Sequence, residues 1–380
     1  MPRRLTGQNT FDAAIDRMVE IYEAGHRVVC SFSAGKDSGV CVEICVIAAT
    51  MTGRLPVEVI MRDEEIMFPG TFEYAARMAE RDDIDFNWIY ACQPVINCFN
   101  RAAPYFWVFD PLLDPEEWVR QPPAIARQIP EMDIGRMTIP DRFPPAEGKN
   151  LYAVIGLRTA ESRGRMYGLF SSKGYVTKPN EYGVLNARPI YDWSDGDIWK
   201  SIKDNHWDYN EAYDVMARHG VPRTKLRIAP PSMNRGGVKS LAMAQRAWPN
   251  WFDRVCRRLP GIRSGANFGE RSVTPLRRLD ETWEQCFNRV CIKDAPEWIA
   301  DRAREAARVI LSTHKHHSTS PLPEVTPCYN CAGNMGSWKR LAFGIFGGDP
   351  FGLASSGLLP AIEPEFFRAG AGTWGGKPTF

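Results

Sequence analysis

The sequence predicts an α/β protein with a doubly wound, mostly parallel five-stranded sheet and helices on both of its faces, followed by a mainly helical, basic C-terminal region. Short apolar runs typical of buried strands alternate with helical segments of about 10–15 residues, which is the pattern of a parallel sheet. A loop that contains glycine and lysine follows the first apolar run. The 380 residues are 44% hydrophobic and 24% charged, a composition typical of a globular protein with a large core.

The individual elements follow from apolar periodicity and from residues that end helices. Residues 11–24 repeat apolar side chains at helical spacing, and Gly25 ends that helix. The same reasoning predicts strands at 27–32, 57–63, 85–91 and 151–158. Further helices are predicted from the first loop to about residue 50 and at 69–81, 194–205, 210–219 and 294–314.

Proline content and charge divide the chain into three predicted parts. Residues 1–215 form the α/β domain, which a proline-rich insertion interrupts at 102–150. Residues 216–340 are expected to be basic and mainly helical, and 341–380 to form a tail rich in glycine and proline. Between 218 and 278, 14 Lys or Arg residues stand against two acidic residues, which is typical of a solvated basic face or of a surface for nucleic acid or polyphosphate.

The loop at 33–38 has the sequence SAGKDS and stands between a predicted strand and a predicted helix. A Walker loop requires two glycines with four residues between them and a hydroxyl side chain after the lysine, whereas here no glycine lies five residues before Gly35 and Asp37 follows Lys36. A single glycine also cannot form the G-x-G-x-x-G turn of dinucleotide-binding proteins. We therefore expect a helix N-terminus that binds phosphate with its N–H groups and Lys36, while Asp37 caps the helix or holds a divalent ion.

The sequence SAGKDS is similar to the S-G-G-K-D-S signature of the pyrophosphate-loop ATP pyrophosphatases, or adenine nucleotide α-hydrolases. This superfamily contains phosphoadenosine-phosphosulfate (PAPS) reductases, sulfate adenylyltransferase small subunits, and tRNA and DNA sulfur-modification proteins. Residues 62–74, 155–165 and 188–199 resemble three further blocks of the PAPS-reductase branch and occur in the same order. The resemblance implies an enzyme that binds an adenine nucleotide in the domain at 1–215.

The resemblance also implies a site for the phosphates of ATP or PAPS, with Mg²⁺ as the accompanying ion. The residues implied in binding are Ser33, Gly35, Lys36, Asp37, Ser38, Asp63, Arg158, Glu161, Ser162 and Arg165. The residues expected to be catalytic are Lys36, Asp37, Arg158 and Arg163. Asp63 could hold a ribose hydroxyl or a metal, or could belong to a solvated acidic loop, and the arginines could bind phosphate or pair with Glu161.

The segment at 188–199 is expected to be mostly structural. Ser194 is predicted to be the N-cap residue of a helix, with Asp197 at the capping-box position three residues later. Trp199 is expected to lie in the core, and Asp195 receives no role in the site.

The cysteines suggest a metal site near the C-terminal end of the basic region. Cys328 and Cys331 are separated by two residues and follow His314 and His317, a spacing that suits structural zinc. The alternatives are an iron–sulfur cluster that also uses Cys286 and Cys291, a redox pair, and no metal.

Location and partners follow from broader features of the sequence. Ten scattered cysteines, some in apparently buried elements, favour reduced thiols. Neither an apolar signal core nor a run of about 18 apolar residues occurs, so we expect a cytoplasmic protein without a membrane partner. The sequence is compatible with a homo-oligomer.

Three functions are compatible with these residues. The first is ATP pyrophosphatase or adenylation chemistry in sulfur transfer or nucleic-acid modification, with a nucleic acid bound at 218–278. The second is a PAPS reductase with Cys328 or Cys331 as its thiol, but the sequence lacks the E-C-G-[IL]-H block that carries the thiol in assimilatory relatives. The third is a nucleotide-responsive regulator or nucleic-acid-binding partner without catalysis.

Overall fold

The computed structural model describes residues 7–368 except 131–136, 162–164, 167–168, 170–173, 229–236, 269–272, 329, 332–334 and 356. The chain divides into two units, Met1–Gln93 with Val108–Pro230, and Pro94–Trp107 with Pro231–Phe380. Each unit contains an apolar core of its own.

The first unit is built on a parallel sheet of six strands. The strands of the chain are β1 (Arg27–Ser31), β2 (Val57–Arg62), β3 (Ile84–Tyr90), β4 (Gln93–Ile96), β5 (Tyr105–Val108), β6 (Arg127–Gln128), β7 (Leu151–Val154) and β8 (Leu185–Ala187). The sheet has the order β6–β3–β2–β1–β7–β8, every neighbouring pair is parallel, and β4 pairs with β5 separately. The α/β class and the parallel sheet are therefore confirmed.

The predicted number of five strands is wrong, since the sheet has six. Strand β6 comes from the proline-rich segment and pairs with β3 only through Arg127 and Gln128, both of which are exposed. Two exposed polar residues show no alternation of apolar and polar positions, so no sequence pattern marks this strand.

The helices of the first unit include the one that opens at the SAGKDS loop. They are α1 (Thr10–Glu23), α2 (Lys36–Thr52), α3 (Thr71–Ala79), α4 (Asp195–Asp204) and α5 (Ala212–Arg218), with 3₁₀ turns at Pro115–Glu117, Thr159–Glu161 and Arg223–Lys225. Helix α2 is buried over most of its length and ends at Gly53, whose φ of +66° suits a helix C-terminus. The expected capping box of Ser194 and Asp197 opens α4.

The two faces of the sheet are covered differently. Because side chains alternate along β1, Val28 and Cys30 pack with α1–α4 in one core, whereas Val29 belongs to another. On that second face the described residues include Ile129 and Phe143 of the proline-rich segment, and no helix of the described chain joins this cluster. Among the described residues, the proline-rich segment therefore supplies part of the apolar cover of this face.

Buried carboxylates attach the proline-rich segment to the end of β2. The Glu65 carboxylate accepts hydrogen bonds from the backbone N–H groups of Phe109, at 2.6 Å, and Val119, at 2.9 Å. Glu65 is fully buried, so these bonds offset the cost of placing its charge away from water. The insertion is therefore fixed to the sheet at two points.

The second unit is helical, as predicted for the C-terminal region. Its helices are α6 (Gly237–Ala247), α7 (Pro249–Arg258), α8 (Ile262–Phe268), α9 (Trp283–Phe287), α10 (Glu297–His317) and α11 (Trp338–Ile345), with a π-helical turn at Asn288–Lys293 and a 3₁₀ turn at Pro364–Phe367. Phe287, Trp298 and Trp338 lie in its core. No helix in the described residues is long and apolar enough to cross a membrane.

Candidate functional site

The SAGKDS loop joins the carboxyl end of β1 to the first turn of α2. The Ser38 hydroxyl donates to the carbonyl oxygen of Gly35 at 2.9 Å and accepts from the backbone N–H of Ser33 at 3.2 Å. Gly35 is the N-cap residue, and because glycine has no side chain, no side-chain group of the N-cap residue bonds to the first N–H groups of α2. The positive end of the α2 dipole therefore lies at a short loop closed by two serines, an arrangement suited to an anion.

Lys36 is the first residue of α2 and is 1% exposed. Its Nζ lies 2.9 Å from a carboxylate oxygen of Asp37 and 3.5 Å from one of Asp195. Its backbone N–H donates to the hydroxyl of Tyr213 at 3.0 Å. A buried ammonium requires such partners, because an unpaired charge in the interior is costly.

Arg158 is the second buried cation, with 2% exposure. Its Nε donates to the other carboxylate oxygen of Asp37, and its guanidinium lies 3.7 Å from Glu161 and 3.8 Å from Asp195. Lys36 and Arg158 thus share two carboxylates at the start of α2. Two of the cations that the sequence assigned to the phosphate site therefore lie together in one network.

Gly156 permits the close approach that forms this network. A Cβ atom at this position would lie 2.8–2.9 Å from backbone atoms of Asp37 and Ser38. Such distances are too short for a side chain, so the strand end that precedes Arg158 contacts the first turn of α2 only with glycine at this position.

Three arginines with more exposed side chains surround the buried pair of Lys36 and Arg158. Arg165 contacts Glu161, Arg227 lies 3.3 Å from Glu161, and Arg223 lies 3.4 Å from Asp195. With Lys36 and Arg158, the described residues of the site contribute five cations against the three carboxylates of Asp37, Glu161 and Asp195, an excess of two positive charges. The excess favours an anionic ligand.

A cavity of about 310 Å³ lies between the loop and these arginines. Its lining includes the SAGKDS loop, Gly156, Glu161, Arg165, Tyr213 and Arg227. A second cavity of about 700 Å³ is lined by Trp199, Trp207, Tyr209, Tyr213 and other residues. Tyr213 and Leu226 line both cavities, and burial raises the pKa of Tyr213, which keeps its hydroxyl neutral.

The structure brings together most of the residues that the sequence assigned to the site. Ser33, Gly35, Lys36, Asp37, Ser38, Arg158, Glu161 and Arg165 line the cavity or belong to its ion-pair network. Ser162 and Arg163 lie outside the described residues.

Asp63 does not line the cavity. It is fully buried, and its carboxylate accepts hydrogen bonds from the indole N–H of Trp88 and the backbone N–H of Glu65, each at 3.0 Å, and from the guanidinium of Arg120. Burial lowers the pKa of Arg120, while Asp63 counteracts this shift. Asp63 thus holds the proline-rich segment, because Arg120 belongs to that segment.

Sequence reasoning missed several residues of the site. Asp195 and Tyr213 contact Lys36, while Arg223 and Arg227 belong to the surrounding ion pairs. The position of Asp195 beside the N-cap residue Ser194 suggested a structural role only. Arg223 and Arg227 lie in the basic stretch, which was the one available signal for them.

The second unit contains the predicted cysteine and histidine group in part. Ligand atoms of His314, Cys328 and Cys331 lie within 4.8 Å of one another. His317 does not belong to this group and is exposed. Cys286 and Cys291 are buried, and they do not belong to the group either.

Comparisons with known proteins find distant similarities, and no protein-family model matches the chain. The Escherichia coli strain K12 protein called uncharacterized protein YbdN is 25% identical over 363 residues, covering 88% of this chain and 86% of that protein. PAPS reductase from Candida auris, in a phosphate complex, is 12% identical with a TM-score of 0.31 and covers 54% of this chain and 85% of that chain. FMN adenylyltransferase from Candida glabrata is 11% identical with a TM-score of 0.36, over 54% and 57%. The function is therefore inferred from the site itself.

Proposed function

We propose that the chain is an enzyme that binds an adenine nucleotide by its phosphates and cleaves the bond between the α- and β-phosphates, in sulfur transfer or nucleic-acid modification. The observation that carries the proposal is the pair of buried cations, Lys36 and Arg158, at the N-terminus of α2. Burying two cations next to a helix N-terminus concentrates positive potential at one point, and a polyphosphate is the common ligand for such a point.

The more exposed arginines supply the flexible part of this site. The side chains of Arg165, Arg223 and Arg227 are 43%, 58% and 49% exposed. They can exchange their carboxylate partners for phosphate oxygens with little loss of packing, whereas Lys36 and Arg158 stay fixed. Such a division between rigid and adjustable donors suits a ligand that enters and leaves.

The proposed reaction is an attack on the α-phosphorus. An oxygen of the acceptor forms the new P–O bond and releases its proton to water, while the bond to the β-phosphate breaks and pyrophosphate leaves with the electron pair. Negative charge accumulates on the leaving group, where Lys36 and the arginines stabilise it.

The carboxylates of Asp37 and Asp195 fit a divalent cation. Both are hard oxygen donors within 3.5 Å of Lys36 Nζ, at the mouth of the loop. These residues would hold Mg²⁺ against the phosphates, and the ion would neutralise part of the leaving-group charge.

The positions of the cysteines favour cleavage at phosphorus over a thiol attack on sulfur. Among the described residues, which include every cysteine, none lines the phosphate cavity. In the neighbouring elements, a hydrogen bond with Cys45 and burial raise the pKa of Cys30, and burial raises that of Cys41. These thiols stay protonated and are poor nucleophiles, so a PAPS reductase is the weaker candidate.

The second cavity suggests how the rest of the ligand or the acceptor would bind. Trp199, Trp207 and Tyr209 line this cavity with aromatic rings, and the buried indole N–H of Trp199 has no partner in the described part of the chain. A planar ring with a hydrogen-bond acceptor would suit this lining. The acceptor proposed is a nucleic acid, for which the basic stretch at 218–278 supplies positive charge.

The cellular setting follows from the thiols. All ten cysteines are in the thiol form, which suits a reducing compartment, and we propose that the protein acts in the cytoplasm, alone or as a homo-oligomer.

Pyrophosphate release tests the proposal directly. The purified chain is incubated with ATP and Mg²⁺, with and without DNA or tRNA, and separately with PAPS and a thiol reductant. We expect pyrophosphate from ATP, lost in Lys36→Ala and retained in Lys200→Ala, because Lys200 is exposed and pairs only with Asp204. Sulfite release from PAPS would establish the reductase instead. Nucleotide binding without either product would establish a regulator, and no nucleotide binding would overturn all three.

A further inference from the structure

Three potential metal ligands lie close together between the end of α10 and the segment that leads into α11. His314 lies in the last turn of α10, and Cys328 and Cys331 lie in the segment that precedes α11. The ligand atoms of the three residues lie within 4.8 Å of one another. Small side-chain rotations would bring atoms this close together around one tetrahedral ion, with zinc–sulfur and zinc–nitrogen bonds about 2.0–2.3 Å long.

The hydrogen bond of His314 determines which ring nitrogen is available. The side chain is 4% exposed, and its Nε2 lies 2.9 Å from the carbonyl oxygen of Ser320. A carbonyl oxygen can only accept, so Nε2 carries the proton and Nδ1 presents a lone pair. Nδ1 is buried, and none of the residues that the structure describes provides it with a hydrogen-bond partner. An unsatisfied buried acceptor is unfavourable, and a metal ion would satisfy it.

The backbone around the cysteines is tightly constrained. The N–H of Cys328 donates to the carbonyl oxygen of Gly336 at 2.8 Å, and a Cβ atom on Gly336 would lie 2.5 Å from the carbonyl oxygen of Cys328. Only glycine fits there, so the chain returns past Cys328 within van der Waals distance. These contacts fix the backbone of Cys328, and the N–H of Cys331 donates to the carbonyl oxygen of Cys328 at 3.4 Å.

We propose that Nδ1 of His314 and the thiolates of Cys328 and Cys331 bind one zinc ion. Thiolate and imidazole ligands select zinc among the common divalent ions, and each thiol releases its proton on binding. The described residues provide three protein ligands, so water would complete the tetrahedron. His317, one helical turn after His314, is exposed and takes no part.

The zinc ion would stabilise the second unit. Cys331 belongs to the same apolar cluster as Trp298 of α10 and Trp338 of α11. A metal bound at the end of α10 would tie this helix to the turn that leads into α11, and the binding free energy would add to the stability of the folded unit. The zinc site is independent of the nucleotide chemistry proposed for the first unit.

Metal content and cobalt spectra of the full chain test the proposal. We expect about one zinc per chain after purification in a metal-replete medium, and Co²⁺ added to the metal-free protein should give the absorption bands of tetrahedral thiolate coordination. His314→Gln and Cys331→Ser should lose the metal, whereas His317→Gln, on the same helix, should retain it. Chelator should lower the melting temperature of wild type and His317→Gln but leave that of Cys331→Ser unchanged.

Several results would overturn the site. These are an absence of metal in wild type with no cobalt bands, a disulfide between Cys328 and Cys331 in protein purified under reducing conditions, and metal loss in His317→Gln equal to that in His314→Gln. An iron–sulfur chromophore would overturn zinc as the ion. If a variant fails to fold, the cobalt titration of wild type still decides, because it needs no substitution.

Discussion

The hydroxyl of Tyr213 accepts a hydrogen bond from the backbone N–H of Lys36, at 3.0 Å, in the first turn of α2. Tyr213 comes from α5, 177 residues further along the chain, and it is buried. The hydroxyl therefore satisfies one of the N–H groups that an anion would otherwise bind at this helix N-terminus. Tyr213 thus connects α5 to the first turn of α2 and would compete with an anionic ligand for the same donor.

Tyr213→Phe should destabilise the protein without nucleotide by about 1–3 kcal/mol, because the buried N–H of Lys36 loses its acceptor. Saturating ATP should reduce this loss, since phosphate oxygen can replace the hydroxyl. Urea unfolding with and without ATP measures both effects. Tyr175→Phe is the control: its hydroxyl bonds to exposed Glu20 and lies 3.3 Å from the carbonyl oxygen of Arg17, so its removal should cost about 0.5–1 kcal/mol, and ATP should not change this loss. Equal losses in both variants would contradict the role of Tyr213.

Gly156→Ala should weaken both the fold and nucleotide binding. Its Cβ atom would meet backbone atoms of Asp37 and Ser38 at 2.8–2.9 Å, and the strand end would have to move away from α2. We expect a loss of about 1–3 kcal/mol in the free energy of unfolding. Gly174→Ala is the matched control, because its Cβ atom would meet nothing within 4 Å. A wild-type unfolding midpoint in Gly156→Ala would contradict the close contact.

Asp195→Asn should have opposite effects on stability and on pyrophosphate binding. The Asp195 carboxylate faces Lys36, Arg158 and Arg223, so losing its charge should cost about 1–3 kcal/mol of stability. The positive excess of the site rises from two to three, and pyrophosphate should bind several-fold more tightly without Mg²⁺. Asp204→Asn, at the exposed end of the same helix, should change neither quantity. Calorimetric titration at low salt checks the affinity, and weaker binding in Asp195→Asn would count against the electrostatic argument.

Arg227→Ala should weaken ATP binding about tenfold and leave the unfolding free energy nearly unchanged. The side chain is 49% exposed and pairs with Glu161, so the fold loses little, whereas ATP loses one charge-assisted hydrogen bond. Arg254→Ala, an exposed arginine in the second unit, is the control and should bind ATP like wild type. An unchanged ATP affinity in Arg227→Ala would remove Arg227 from the proposed site.

The sequence predicted those parts of the site that are local. The SAGKDS loop, its position between a strand and a helix, and its joint location with Arg158 and Glu161 follow from contiguous motifs and from the geometry of parallel sheets. Tyr213 and Asp195 were missed because they belong to helices that are distant from Lys36 in the sequence. No sequence motif predicts that either residue contacts Lys36. Tertiary packing alone brings them there.

Sequence motifs do not reveal long-range packing, and this also explains the wrong number of strands and the position of Asp63 outside the predicted nucleotide site. Strand β6 consists of two exposed residues, and two residues are too few to show a periodic pattern of apolar side chains. Asp63 ends a strand at the expected edge, but its partner Arg120 lies in a proline-rich segment whose path no repeat or period indicates. The sequence located the carboxylate, and the fold determined which cation it meets.

The anchoring of the proline-rich segment by two buried carboxylates has a consequence for protein engineering. Asp63 depends on Arg120, and Glu65 on the peptide groups of Phe109 and Val119. Excising the segment would leave the two carboxylates buried without these partners. An unpaired buried charge is costly, so we expect the region around Asp63 and Glu65 to open to water. The insertion is thus not interchangeable with a shorter loop: a minimised or chimeric nucleotide-binding domain would have to carry this guanidinium and these two amides with it.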